Sequence, residues 1–285
     1  MPPKIVISAS RRTDIPAFYM DWFMAGIVKG FFEAENPYNR RTRTIPSTTE
    51  DVHSIVFWSK DFSGFLENGF GLRLSRMGYR LFFHFTINST KSVLEPNIPA
   101  MTLRLKTLRR LCLEFSPAAV TWRFDPICHF TEKGRPDDNL NEFLHIADAA
   151  AGCGVTRCIT SFMDPYEKIA RRTAKIRGFG FTDPPDERRI EILLHMEKEL
   201  ATRNIGLFLC CEAQVIPFLP SASTIRTGSC IDHALLEKLF GPGLSGEKDL
   251  GQRIKQGCGC MTAKDVGSYF LHPCRHHCLY CYANR

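Results

Sequence analysis

No apolar run in this chain approaches the roughly eighteen uninterrupted residues that a membrane span needs, so a membrane role is not expected. The opening residues, Met1-Pro2-Pro3-Lys4-Ile5, hold neither a long apolar segment nor a small-residue cleavage site. The expectation is therefore a cytoplasmic protein rather than a secreted one. There is no low-complexity linker and no internal repeat, which leaves one large α/β unit or two modest domains for 285 residues. No stretch interleaves aromatic with basic residues, and Lys and Arg are dispersed. That counts against a nucleic-acid recognition module, although a net charge of +7 permits an anionic partner.

What the chain has in excess is cysteine, twelve in all. In a reducing cytoplasm clustered cysteines read as metal ligands rather than as a disulfide framework. Five crowd the C-terminal stretch, as Cys258-Gly259-Cys260 and Cys274-x-x-x-Cys278-x-x-Cys281. The last three can wrap one corner of an iron–sulfur or other metal centre without supplying a fourth ligand. Such an open position suits catalysis, whereas structural centres are closed by four protein ligands. Tyr280, beside the last cysteine, could shield one face. Zinc is the alternative, pairing Cys258 and Cys260 with two later cysteines or recruiting His272, His276 or His277.

A second set of four thiolates is expected from Cys230, Cys258, Cys260 and either Cys210 or Cys211. It would make a closed zinc site or an auxiliary [4Fe–4S] cluster; the competing reading is a group of inert buried thiols. Adjacent residues of a strand point to opposite faces, so only one of Cys210 and Cys211 is expected to serve, and Cys210 is favoured. Cys112, Cys128, Cys153 and Cys158 read as core packing.

Apolar, β-rich runs recur at 5–8, 54–58, 80–85, 119–122, 157–160 and 205–209, each followed by polar residues. Near-continuous apolar runs suit buried parallel strands. Between them, 16–30, 100–115, 139–151 and 186–203 repeat apolar positions at helical spacing. Alternation predicts an α/β fold, a complete or partial (β/α) barrel of six strands with one more near the C-terminus. Residues 1–212 would form its main part. Residues 213–285 would be a loop-rich cysteine module with a closing strand, expected at 267–271.

In such folds the active site assembles at the carboxyl ends of the strands. There the sequence places Arg11, Arg12 and Asp14, which could bind a carboxylate or phosphate at a helix start; alternatively Asp14 caps the helix and the arginines pair with acids. Lys60 could meet an anionic cofactor or reach solvent. Arg123 and Asp125 share a strand face, with a direct ion pair as the plainer reading.

The segment Cys274-Arg275-His276-His277-Cys278-Leu279-Tyr280-Cys281 resembles the cluster motif of radical S-adenosylmethionine (SAM) enzymes. That resemblance implies a [4Fe–4S] cluster on Cys274, Cys278 and Cys281, with SAM on the unligated iron. It also implies an electron donor such as a flavodoxin or ferredoxin, and a small-molecule or nucleotide-like substrate. Asn88, Glu95, Arg123, Asp125, Ser161, Asp164 and Glu212 then become candidates for contacts to SAM or substrate. The motif usually follows the first barrel strand, so its terminal position implies circular permutation. No clear Gly-Gly-Glu motif for the SAM amine is present. Over nearly its full length the chain is similar to an uncharacterised bacterial family, domain of unknown function 1848. The matching stretches are Ser8-Ala9-Ser10-Arg11-Arg12-Thr13-Asp14-Ile15-Pro16, Val56-Phe57-Trp58-Ser59-Lys60, Trp122-Arg123-Phe124-Asp125-Pro126, Ser161-Phe162-Met163-Asp164-Pro165-Tyr166 and Cys281-Tyr282-Ala283-Asn284. The competing reading is a zinc-stabilised metalloprotein without radical chemistry, one version of which binds nucleic acid.

Overall fold

The computed structural model describes residues 3–36 and 41–284. Eight strands make one sheet: β1 (Ile5–Ala9), β2 (Val52–Ser59), β3 (Leu81–Thr86), β4 (Val120–Ile127), β5 (Arg157–Phe162), β6 (Gly206–Leu209), β7 (Arg226–Thr227) and β8 (Lys264–Asp265). Their spatial order is β7-β6-β5-β4-β3-β2-β1-β8, and every pairing is parallel. Strands β1 to β7 thus lie side by side in chain order, and the last strand returns to pair with the first. The outer two strands, β7 and β8, both come from the 213–285 stretch.

The principal helices are α1 (Met20–Lys29), α2 (Met101–Phe115), α3 (Phe143–Gly152), α4 (Asp186–Ala201) and α5 (His233–Phe240). Their buried residues recur at three and four, as with Arg104, Thr107, Leu108 and Leu111 on α2, or Ile192, Met196 and Leu200 on α4. Alternate strand residues divide between two cores, as the period of two requires. Ile7, Ile55, Phe57, Phe83, Phe85, Trp122, Phe124, Leu207 and Leu209 belong to the larger core, which they share with residues of α1 to α4. Val6, Val56, Phe82 and Ile159 pack on the other face with Cys210, Cys230, Cys260 and Leu236 of α5. That second face is therefore covered by the cysteine-bearing stretch rather than by crossover helices.

The six expected strands all form, several longer than expected. The closing strand differs: it lies at 264–265, and 267–271 is a turn. Gly267 sits at φ +86°, and the Ser268 hydroxyl accepts the N–H groups of Phe270 and Leu271 at 3.1 and 3.3 Å. Those local bonds compete with a sheet ladder and win. The expected helix at 16–30 breaks at Tyr19 into Ile15–Phe18 and α1. Two further sheets were not foreseen, a hairpin of Phe31–Glu35 with Thr42–Pro46 and a three-stranded sheet of Phe179–Thr182, His129–Glu132 and Arg135–Asp138. Among the described residues no helix is long and apolar enough to cross a membrane.

His53 on β2 is buried, with Nε2 donating to the Gly241 carbonyl at 2.8 Å. Burial lowers its pKa below the ordinary 6.5, although that carbonyl pulls the other way. A depressed folded-state pKa gives stability that is present above the unfolded value and lost as pH falls through the folded one. His53→Gln should therefore flatten the decline of the urea midpoint between pH 7 and pH 5 (about those limits). An unchanged acid limb would show that His53 does not contribute to it.

Candidate functional site

Residues 266–284 cross the carboxyl ends of β1, β2 and β3 without regular secondary structure. Bonds from distant parts of the chain hold them there. The Tyr19 hydroxyl donates to the Pro273 carbonyl at 2.7 Å, and Asn97 Nδ2 to that of Arg275 at 3.0 Å. Leu279 N donates to the Leu94 carbonyl at 2.8 Å, and the Tyr282 hydroxyl to that of Arg11 at 2.8 Å. Arg172, on the helix Glu167–Thr173, donates to four carbonyls, those of Cys278, Leu279, Cys281 and Asn284.

Asp14 and Lys60 connect this loop to the strand ends. Asp14 accepts from Ala17 N (3.0 Å), the Ser59 hydroxyl (2.7 Å) and Lys60 N (2.9 Å), so it caps the first helix as well. It also meets His276 Nε2 at 2.8 Å, while His276 Nδ1 faces the Asn97 carbonyl at 3.2 Å. With acceptors at both ring nitrogens, only the imidazolium satisfies the pair. Burial opposes that charge, but the bond to Asp14 prevails and raises the pKa above 6.5. Lys60 Nζ donates to Glu95 at 2.6 Å and Asn88 at 2.9 Å, and the Tyr280 hydroxyl donates to the same Glu95 carboxylate. Burial works against the Lys60 charge, yet Glu95 and the nearby Cys278 keep its pKa raised.

Cys274, Cys278 and Cys281 are free thiols that influence one another electrostatically across this loop. Burial pushes the Cys274 thiol up to about 12 and Cys278 well above its ordinary value, with Lys60 pulling Cys278 back. Left alone, Cys274 and Cys278 are neutral, and a bound metal would displace their protons. Three thiolates with no competing carboxylate in the triplet suit a soft, iron–sulfur type of centre.

The second constellation gathers more cysteines than expected. Cys210 Sγ lies 3.8 Å from Cys211 Sγ and 3.7 Å from Cys230 Sγ. Cys258 interacts with both Cys211 and Cys260, and Cys260 with Cys230, so five sulfurs form a closed ring. The expectation that Cys210 and Cys211 face apart fails because the strand ends at Leu209 and Cys211 takes φ +63°. That left-handed turn swings its side chain back beside its neighbour. Hydrogen bonds from Cys211 and Cys260 pull the Cys258 thiol down to about 3. Bonds from Cys210 and Cys260 hold Cys230 well below its ordinary value, helped by Arg123, whose Nη1 donates to its sulfur at 2.7 Å. Among the described residues, no group of three or more His, Cys, Asp or Glu side chains is arranged to hold a metal ion as it stands.

The remaining candidates divide between the two constellations. Arg123 also bonds Asp125, which accepts from the Ser161 hydroxyl, so all three stand beside the sulfur ring. Arg11 is engaged by Asp249 at 3.1 Å and Asp265 at 2.9 Å, and Arg12 by the carbonyls of Glu35 and Gly267. Asp164 pairs with Arg253. Glu212 accepts from Phe162 N at 2.7 Å and from Gln214, and burial raises its pKa to about 7. Sequence reasoning missed Arg172 and set Cys211 aside. Arg172 follows another arginine on a polar helix, and nothing in the sequence distinguishes the two.

Arg172→Met should free the loop. Hydrogen bonds to a charged donor contribute about 1.5–3 kcal/mol each and are not additive, so a loss of roughly 2 kcal/mol or more is expected. Amide exchange in 277–284 should accelerate while β2 to β4 stay protected. Unchanged protection across 277–284 would contradict this role.

No curated protein matches the chain. A family model described as "Domain of unknown function (DUF1848)" matches residues 6–283, and the chain belongs to that family.

Proposed function

We propose that the chain is an iron–sulfur enzyme of the radical SAM kind, with a [4Fe–4S] cluster on Cys274, Cys278 and Cys281 and SAM at the open iron. Its frame would be a partial (β/α) barrel, permuted so that the usual first strand, β8, comes last. The sheet order supports this reading: sequential strands are neighbours, β8 pairs with β1, and the cysteine loop directly follows β8. The carrying observation is the fastening of that loop over the strand ends by Asp14, Glu95 and Arg172. Parallel α/β folds place their chemistry at that edge.

When bound, the cluster would supply the electron that cleaves SAM to a 5′-deoxyadenosyl radical. The chain's own residues position and shield that centre. Lys60 holds a positive charge beside Cys278, which suits an anionic cluster. Cys278 and Tyr280 are buried, so water is kept from that side. Thr13 Oγ1, Trp58 Nε1 and Arg11 Nη1 are buried donors without partners near the same strand ends. They would suit the carboxylate of SAM or an acceptor on a small or nucleotide-like substrate. A flavodoxin or ferredoxin would deliver the electron.

The test is anaerobic reconstitution followed by SAM and a chemical reductant. Formation of 5′-deoxyadenosine, measured by mass spectrometry, is expected. A protein carrying its cluster that forms none would refute the radical reading. A colourless protein with zinc on the terminal triplet would favour a structural metal instead.

A further inference from the structure

The ring of five sulfurs is not needed by the terminal cluster, and its position gives it a separate task. Strands β7 and β8 are the two edges of the main sheet and do not pair with each other. Cys230 lies just after β7, while Cys258 and Cys260 lie just before β8. Short bonds bring these stretches side by side. Ser229 Oγ donates to the Gly259 carbonyl at 2.8 Å, Cys230 N to Cys260 Sγ at 3.2 Å, and Met261 N to the Ile231 carbonyl at 2.9 Å. Cys210 and Cys211 join them from the end of β6.

We propose that this ring is a single-ion zinc site, with Cys230, Cys258, Cys260 and one thiolate of the Cys210–Cys211 pair as ligands. A tetrahedral ion with zinc–sulfur bonds of about 2.3 Å sets its sulfurs about 3.75 Å apart. The 3.7 Å contact between Cys210 and Cys230 equals that edge when Cys210 is the member of the pair that binds. In a cubane each thiolate sits on its own iron, so the sulfurs stand apart by the width of the core. The thiols now form a ring because they share protons in hydrogen bonds. Zinc entry displaces to solvent the thiol protons that its ligands still carry, removes those bonds and lets four sulfurs close on one ion while the fifth withdraws. A tetrathiolate zinc centre carries two negative charges, and three guanidinium groups act on its sulfurs while each is also paired with a carboxylate. Arg123 donates to Cys230, while Arg253 acts electrostatically with Cys211 and Arg11 with Cys260. The ion would join the ends of β6 and β7 to the approach to β8, adding to the backbone bond between Met261 and Ile231 where β7 and β8 themselves do not pair.

The experiment uses the full chain carrying C274S, C278S and C281S, so that only the ring can hold metal and the radical reading is not engaged. Metal and acid-labile sulfide are measured after anaerobic purification from medium containing both iron and zinc. One zinc per chain without sulfide is expected. Adding Cys230→Ser or Cys260→Ser should lower the zinc at least tenfold. Zinc-edge X-ray absorption of the unsubstituted chain should show four sulfur neighbours, which guards against misfolding of the variants. Iron with sulfide on the triple variant, or no zinc at the ring in either protein, would overturn the proposal.

Discussion

On the proposed radical reading, Cys278→Ser should leave the terminal triplet without iron, and 5′-deoxyadenosine formation should fall by about three orders of magnitude or more, equivalent to roughly 4 kcal/mol of lost transition-state stabilisation. Cys278 is the middle member of the triplet, 4% exposed, and Lys60 bears on its sulfur. Serine keeps the shape but offers a hydroxyl that does not give up its proton to a soft metal. Zinc at the five-cysteine ring should be untouched, because no ligand is shared. Iron analysis and product quantification on the same anaerobic sample check the result. Full activity in Cys278→Ser would remove the triplet from the chemistry.

Glu95→Leu should destabilise the fold by roughly 3–5 kcal/mol, the cost of leaving buried charges without their partner. The Glu95 side chain is fully buried and faces Lys60 at 2.6 Å and Arg104 at 3.6 Å, the latter 2% exposed. It also accepts the Tyr280 hydroxyl, so the cysteine loop loses a fastening at the same time. Burial already lowers the Arg104 pKa, and Glu95 is the largest counterweight. Glu95→Gln keeps an acceptor for Lys60 and Tyr280 and should cost less. Urea unfolding of both variants gives the comparison, and a loss below about 1 kcal/mol for Glu95→Leu would contradict the pairing.

The parallel strands could be read from sequence because burial on both faces leaves long apolar runs, as in Val52–Ser59. The small sheets carry no such signal. In Thr42–Pro46 only Ile45 is buried, and in Arg135–Asp138 no residue is. A turn signal was present between the latter and its partner, since Lys133 and Gly134 both take positive φ, a pattern that Gly134 favours. Strands β7 and β8 are two residues each, too short for periodicity. The cysteine spacing marked the triplet, yet spacing alone could not place it above Asp14 and Lys60, more than two hundred residues away in the chain. Cys211 was misread because alternation holds only inside a strand, and the strand stops one residue before the pair begins.

Electron paramagnetic resonance of the anaerobically reduced chain, recorded with and without SAM, tests the central claim most directly. The account predicts a reduced-cluster signal whose shape changes when SAM is added and which disappears in Cys278→Ser. A cluster signal that SAM leaves unaltered, or no cluster signal from protein reconstituted with iron and sulfide, would contradict it.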